Sequence, residues 1–70
     1  MRPNGQAIRA VRVARNLSIR QVEKLTGLNR GYLSRLERGQ IKTAADDRIQ
    51  RVATALDISP DLLELKEKTP

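Results

Sequence analysis

The side chains best suited to chemistry in this sequence are the arginines of one short stretch, residues 19–38, IRQVEKLTGLNRGYLSRLER. Arg30, Arg35 and Arg38 all follow Gly27, on the second of two amphipathic segments hinged there. A guanidinium stays protonated and carries its N–H donors in a planar fork, so its chemistry is ion pairing and two-pronged hydrogen bonding to phosphates and base edges. That is what a helix needs to enter a DNA groove. Catalysis would require other groups. The chain has no cysteine and no histidine, which removes disulfides, thiolate and imidazole metal ligands, and the usual nucleophile and general base. A zinc finger is excluded, an enzyme is disfavoured, and neither cofactor nor metal is expected.

The net charge is +6, but its distribution says more than its size. Residues 1–42 hold ten Lys/Arg against Glu23 and Glu37, a net +8, whereas residues 43–70 hold four against six acids, a net −2. A polycationic half attracts phosphate without regard to sequence, and an ordinary solvated surface has the same composition, so the charge needs a geometric partner. Seventy residues allow one domain, which buries only about 60% of the surface its unfolded chain exposes. Apolar runs are far shorter than the ~20 residues that span a bilayer, and the first residues lack the apolar region of a signal peptide. A soluble, cytoplasmic chain without membrane contact is the expectation.

The elements that must position the arginines read as helices throughout. Ala7, Ile8, Val11, Ala14 and Leu17 recur at helical spacing after Asn4, a suitable N-cap, and Asn16 tolerates a left-handed stop, so the first helix spans about 5–15. Ser18 with Gln21 is a capping-box pattern; Ile19, Val22 and Leu25 or Thr26 then give an apolar face before Gly27, placing a second helix at about 19–26. Asn29 caps a third, about 29–38, with Leu33 and Leu36 inward and Gly39 at its end. Thr43 with Asp46 suggests the cap of a fourth helix, whose inner face is Ile49, Val52, Ala53 and Leu56. Ser59 and Pro60 open a fifth, running to about Leu65. Residues 1–4 and 66–70 read as mobile ends. The fold class is all-α, one compact five-helix domain over residues 1–70.

A tight turn between two helices forces a steep crossing, and glycine at its first position takes positive φ without a Cβ clash. Gly27 fits. Val22, Leu28, Leu33 and Leu36 then pin the crossing from inside, which leaves Arg30, Gly31, Ser34 and Arg35 facing outward.

These residues carry a resemblance that covers nearly the whole chain. The sequence resembles the Cro/C1-type (Xre-like) helix-turn-helix family of phage repressors, small bacterial regulators and controller proteins. Its landmarks are Gly5, Ile8, Arg9 and Arg12; Leu17 and Ser18; Gly27; the run Tyr32, Leu33, Ser34, Arg35, Leu36, Glu37, Arg38, Gly39; then Ala53, Ala55, Leu56, Asp57, Ile58, Leu62 and Leu63. The resemblance implies the lambda-repressor-like fold, with the third helix lying in the major groove of duplex DNA and the second bridging the backbone above it.

It also implies roles. Arg30 matches the first base-contacting position, where its fork reaches guanine O6 and N7, and Arg35 is the second candidate. Gly31 and Ser34 lie between them as permissive base-facing positions. Phosphate contacts fall to Ser18 and the opening amides of the second helix, and to Arg20, Gln21, Tyr32, Arg38 and Lys42. For Tyr32 the alternative is packing against the first helix. Arg12 and Glu37 match a structural pair, and Arg9 and Arg15 read as surface charge. Three positions depart from the family pattern: Ile19 stands where glutamine is usual, so Arg20 or Gln21 must replace its phosphate contact; Glu23 stands where alanine is usual and must bend outward or pair with Arg30 or another arginine; and no proline precedes the fourth helix. The implied function is a DNA-binding transcriptional regulator, a repressor in a bacterial or phage setting, reading an operator. Ile58, Leu62, Leu63 and Leu65 offer a homodimer interface, or else they complete a monomer core. The alternatives are an antitoxin-like interaction module with secondary DNA binding and a DNA-binding fragment of a longer protein.

Overall fold

A computed structural model describes residues 1–65 and contains four α-helices in chain order: α1 (Gly5–Ala14), α2 (Ile19–Thr26), α3 (Arg30–Glu37) and α4 (Asp46–Leu56). A 3-10 turn, Pro60–Leu63, follows. The fifth element is thus one tight turn rather than an α-helix reaching Leu65. Ser59 Oγ accepts from the Asp61 amide as expected of its cap, but Glu64 returns to extended backbone and pairs with Pro3 in an isolated antiparallel bridge. That pairing removes the residues a longer helix would need.

The local signals for the first three helices act as their residue types require. Asn4 Oδ1 accepts from the Ala7 amide, and Asn16 takes φ 60° beyond the end of α1. Ser18 and Gln21 form the reciprocal capping box of α2, with Gln21 N donating to Ser18 Oγ at 3.1 Å and Ser18 N donating to Gln21 Oε1 at 2.7 Å. Gly27 ends α2 at φ 75°, in the left-handed region where a side chain is disfavoured. Asn29 Oδ1 accepts from Gly31 N and opens α3.

α4 departs from expectation. It begins at Asp46 with Ala45 as N-cap and no side-chain cap, so Thr43 does not cap it. Support comes from a distance instead. Met1 and Ala44 pair through N–H···O bonds in both directions, at 2.9 and 3.1 Å. Arg2 O accepts from Leu65 N at 2.8 Å, and Leu63 O accepts from Asn4 N at 2.8 Å. Residues 1–4, expected to be mobile, are therefore a strap that ties the loop before α4 to the end of the 3-10 turn. The expectation for residues 66–70 lies outside the described residues.

The core forms where the inner faces meet: Ile8, Val22, Leu28, Leu33, Leu36, Ala44, Ile49, Val52, Ala53, Leu56 and Leu63 are buried. Each large aliphatic side chain removed from water contributes about 1.5–3 kcal/mol. On α2 Thr26 is buried along with Val22, while Leu25 is 60% exposed. Thr26 is polar yet satisfied, because its hydroxyl donates to Val22 O at 2.7 Å and accepts from Leu28 N at 3.1 Å. α1 packs against α3 and the 3-10 turn, and α2 against α3 and α4.

Gly5 sets the closeness of the first of these contacts. A Cβ built there would lie 2.3 Å from Leu36 O and 2.6 Å from Glu37 O, both backbone atoms that cannot swing aside. Gly5→Ala is expected to destabilise the fold by about 2 kcal/mol through overpacking, although alanine is the better helix former by about 1 kcal/mol. Urea unfolding checks this; unchanged or raised stability would contradict the close approach.

Candidate nucleic-acid interface

α3 divides along its length into an inward and an outward face. Leu33 and Leu36 are buried at 2% and 0% exposure, while Arg30, Gly31 and Arg35 are exposed and Ser34 is half-buried. The four expected base-facing residues therefore share the face opposite the leucines. Gly31 adds no side chain between Arg30 and Ser34, which keeps that face low and leaves the arginines projecting.

Beside this face lies a shallow depression of about 190 Å³, lined by Arg9, Arg12, Ile19, Ser34, Glu37 and Arg38. It joins α1, the start of α2 and the end of α3. Arg9 and Arg38 are its exposed cations, since Arg12 and Glu37 are engaged with each other. Sequence reasoning set Arg9 aside as surface charge; the structure places it in the lining of this depression with Ser34 and Arg38. A neighbouring hollow of about 330 Å³ includes Arg38, Lys42 and Arg2 among its walls. The cations of the two hollows thus form a track past the carboxyl end of α3.

At the head of α2, Ser18 and Gln21 are exposed but committed to their capping box. Ser18 Oγ still has its own proton and Gln21 its amide N–H₂ for an outside acceptor. The first amides of a helix have no acceptor within it, and the positive end of the helix dipole favours an anion there. Arg20 is exposed alongside, whereas Ile19 is half-buried against the core and fills the depression with an apolar wall. Tyr32 is half-buried, with the Arg48 guanidinium 4.9 Å from its ring centroid. That cation–π contact couples α3 to α4 and was not visible in the sequence.

Two carboxylates fix the site. Glu37 is 9% exposed and takes Arg12 in a two-pronged pair, with Nε donating to Oε2 at 2.6 Å and Nη2 to Oε1 at 3.0 Å. Arg12 Nη1 donates to Leu17 O at 2.8 Å. Glu23, on α2, does bend toward α3: its Oε2 accepts from Arg30 N at 3.1 Å and its Oε1 lies 3.8 Å from Arg30 Nε.

Arg15 also carries a role beyond surface charge. It donates to Leu56 O at 3.1 Å and Asp57 O at 3.3 Å, closing the carboxyl end of α4, where a cation opposes the negative end of the dipole. Of the four residues expected at a dimer interface, Leu63 is fully buried in the monomer core and Ile58 is half-buried against it. Leu62 and Leu65 remain outside, at 62% and 45% exposure.

Residues 8–63 match the family model described as helix-turn-helix. The chain is 36% identical over 62 residues to proteins of two Mycobacterium tuberculosis strains named as uncharacterized HTH-type transcriptional regulators, covering 89% of this chain and 44% of each relative. It therefore spans less than half the length of those relatives. Among solved structures, it is similar to the restriction-modification controller protein C.AhdI from Aeromonas hydrophila, with TM-score 0.76 and 41% identity over 83% of this chain and 86% of that one. It is also similar to the clp gene regulator ClgR from C. glutamicum, with TM-score 0.74 and 30% identity over 83% of this chain and 75% of that one.

Removing one member of a desolvated ion pair strands the other, so Glu37→Ala is expected to cost about 3 kcal/mol. A loss under about 1 kcal/mol in urea unfolding would instead place the pair in the class of surface ion pairs.

Proposed function

We propose a function that proceeds from one premise: the chain belongs to the helix-turn-helix family of DNA-binding transcriptional regulators, which is not a family of enzymes. The protein binds duplex DNA and regulates transcription by reading an operator, with α3 in the major groove. It acts as a repressor, or as a controller of the kind its structural neighbour is named for.

The observation that carries this reading is the split of α3 into a leucine face held by the core and an outward face of Arg30, Gly31, Ser34 and Arg35. Arg30 and Arg35 make the base contacts, and Gly31 and Ser34 give them room. Ser18, Arg20, Gln21, Tyr32, Arg38 and Lys42 hold phosphates, and Arg9 joins them. Phosphate contacts set position along the duplex, whereas the arginine forks discriminate guanine by about 1–3 kcal/mol each.

Two copies on a two-fold operator would place their α3 helices ~34 Å apart, one turn of DNA. The exposed leucines 62 and 65, close to the chain's last described turn, supply the apolar part of such a contact. Leu63 does not take part, because it completes the core of each copy.

The distinct duties of two arginines test this reading. Arg30→Ala should flatten the preference among duplex sequences, costing about 1–3 kcal/mol at the preferred site and little elsewhere. Arg38→Ala should weaken all duplexes alike and lower the slope of log K against log salt by about 0.9. Titration of fluorescent duplexes at two salt concentrations reads both. Equal, small effects from the two variants would remove α3 from the role of reader.

A further inference from the structure

Glu23 has been given no contact with DNA, yet it is a carboxylate placed beside Arg30 among the cations assigned to DNA. It contacts Arg30 twice, once through the backbone amide at 3.1 Å and once beside Nε at 3.8 Å. We propose that Glu23 is a positioning residue that fixes how Arg30 presents its guanidinium to a base, raising sequence selectivity while lowering affinity for DNA in general. The proposal rests on the base-reading role given to Arg30 above.

Asn29 Oδ1 occupies the Gly31 amide and Glu23 Oε2 occupies the Arg30 amide, so the first two donors of α3 already face oxygen acceptors. A carboxylate there also neutralises the positive end of the helix dipole. Phosphate has little reason to settle at the start of α3, in contrast to the start of α2, whose cap is an uncharged serine and glutamine. The carboxylate thus steers the DNA backbone away from α3 and toward α2 and the cationic track.

The second contact concerns direction. A guanidinium can grip guanine side-on, through Nε and one Nη, or end-on, through its two Nη groups. Glu23 lies on the Nε side, so the terminal edge is the one left for a base. Arg30 is 59% exposed and Glu23 34%, which makes the contact loose in the free protein and open to tightening once DNA excludes water. Once tightened on DNA, the contact holds the side chain in the arrangement that presents its terminal edge to guanine. On any other base the same arrangement leaves a carboxylate near phosphates without a compensating two-pronged bond, so mismatched sites are penalised.

The experiment compares wild type, E23Q, R30A and the E23Q/R30A double variant on three duplexes: a site selected by wild type from a random pool, that site with its Arg30-dependent guanine replaced, and an unrelated duplex. Glutamine keeps an oxygen to accept from the Arg30 amide but loses the charge, and thermal unfolding of each variant separates folding from reading. E23Q is expected to bind the unrelated duplex about fivefold tighter, the size of one exposed charge pair, and to steepen the salt slope by up to about 0.9. Its preference for the guanine site over the replaced site should fall severalfold. In the R30A background, E23Q should leave that preference unchanged. If R30A abolishes the guanine preference while E23Q retains it in full, Glu23 is a helix cap alone and the inference is overturned. If R30A itself keeps the preference, the base-reading assignment of Arg30 fails and takes this inference with it.

Discussion

The Arg12 guanidinium is the point at which three helices are held in one arrangement. From α1 it reaches both oxygens of Glu37 in the last turn of α3, and the carbonyl of Leu17 just before α2. With the pair largely removed from water, its attraction must offset a desolvation cost of several kcal/mol per ion, which it can do only with each polar atom matched. Nε, Nη1 and Nη2 all donate, and no buried side-chain polar atom among the described residues lacks a partner. Gly5 serves the same junction, since any side chain there would strike the Leu36 and Glu37 carbonyls and push α1 away from α3.

From that junction the outward face of α3 follows as a consequence. Leu33 and Leu36 turn one face of the helix into the core, and the chain enters it through a turn with little freedom: Thr26 bonded to Val22 and Leu28, Gly27 left-handed, Leu28 buried. Arg30, Gly31, Ser34 and Arg35 are carried on the other face by a rigid element rather than a loop, which suits a task in which misplacement by an ångström is costly. Helix ends then distribute charge: the head of α2 has no acid in its first turn, the head of α3 is occupied by Glu23, and the tail of α4 is closed by Arg15.

What could be read in the sequence was what lies within three or four residues of its cause. Ser18 with Gln21, Asn29 with Gly31, and the left-handed Asn16 and Gly27 are contacts or conformations set by near neighbours, so residue type and spacing announce them. The inward leucines of α3 were legible for the same reason, through helical periodicity. The Arg12 and Glu37 pair, 25 residues apart, came from resemblance to a family rather than from spacing. Features with no local signature stayed hidden: Arg15 reaching Leu56 across 41 residues, Met1 pairing with Ala44 across 43, and Arg48 over Tyr32. The Thr43 cap and the longer last helix failed because the strap supplies hydrogen bonds that short-range rules cannot count. The departure from the family's alanine suggested Arg30 as a partner for Glu23, but not that Glu23 would hold the Arg30 backbone as well.

The proposed reading of an operator requires α3 to be the element that meets DNA, with the head of α2 beside it. Amide chemical-shift mapping by NMR during titration with duplex DNA tests this most directly, because each backbone N–H reports its own surroundings. The largest changes are expected at Arg30, Gly31, Ser34 and Arg35 and at the opening amides of α2, residues 19 and 20, with α4 little affected. Changes concentrated on α4 or the 3-10 turn, with α3 unmoved, would contradict the account.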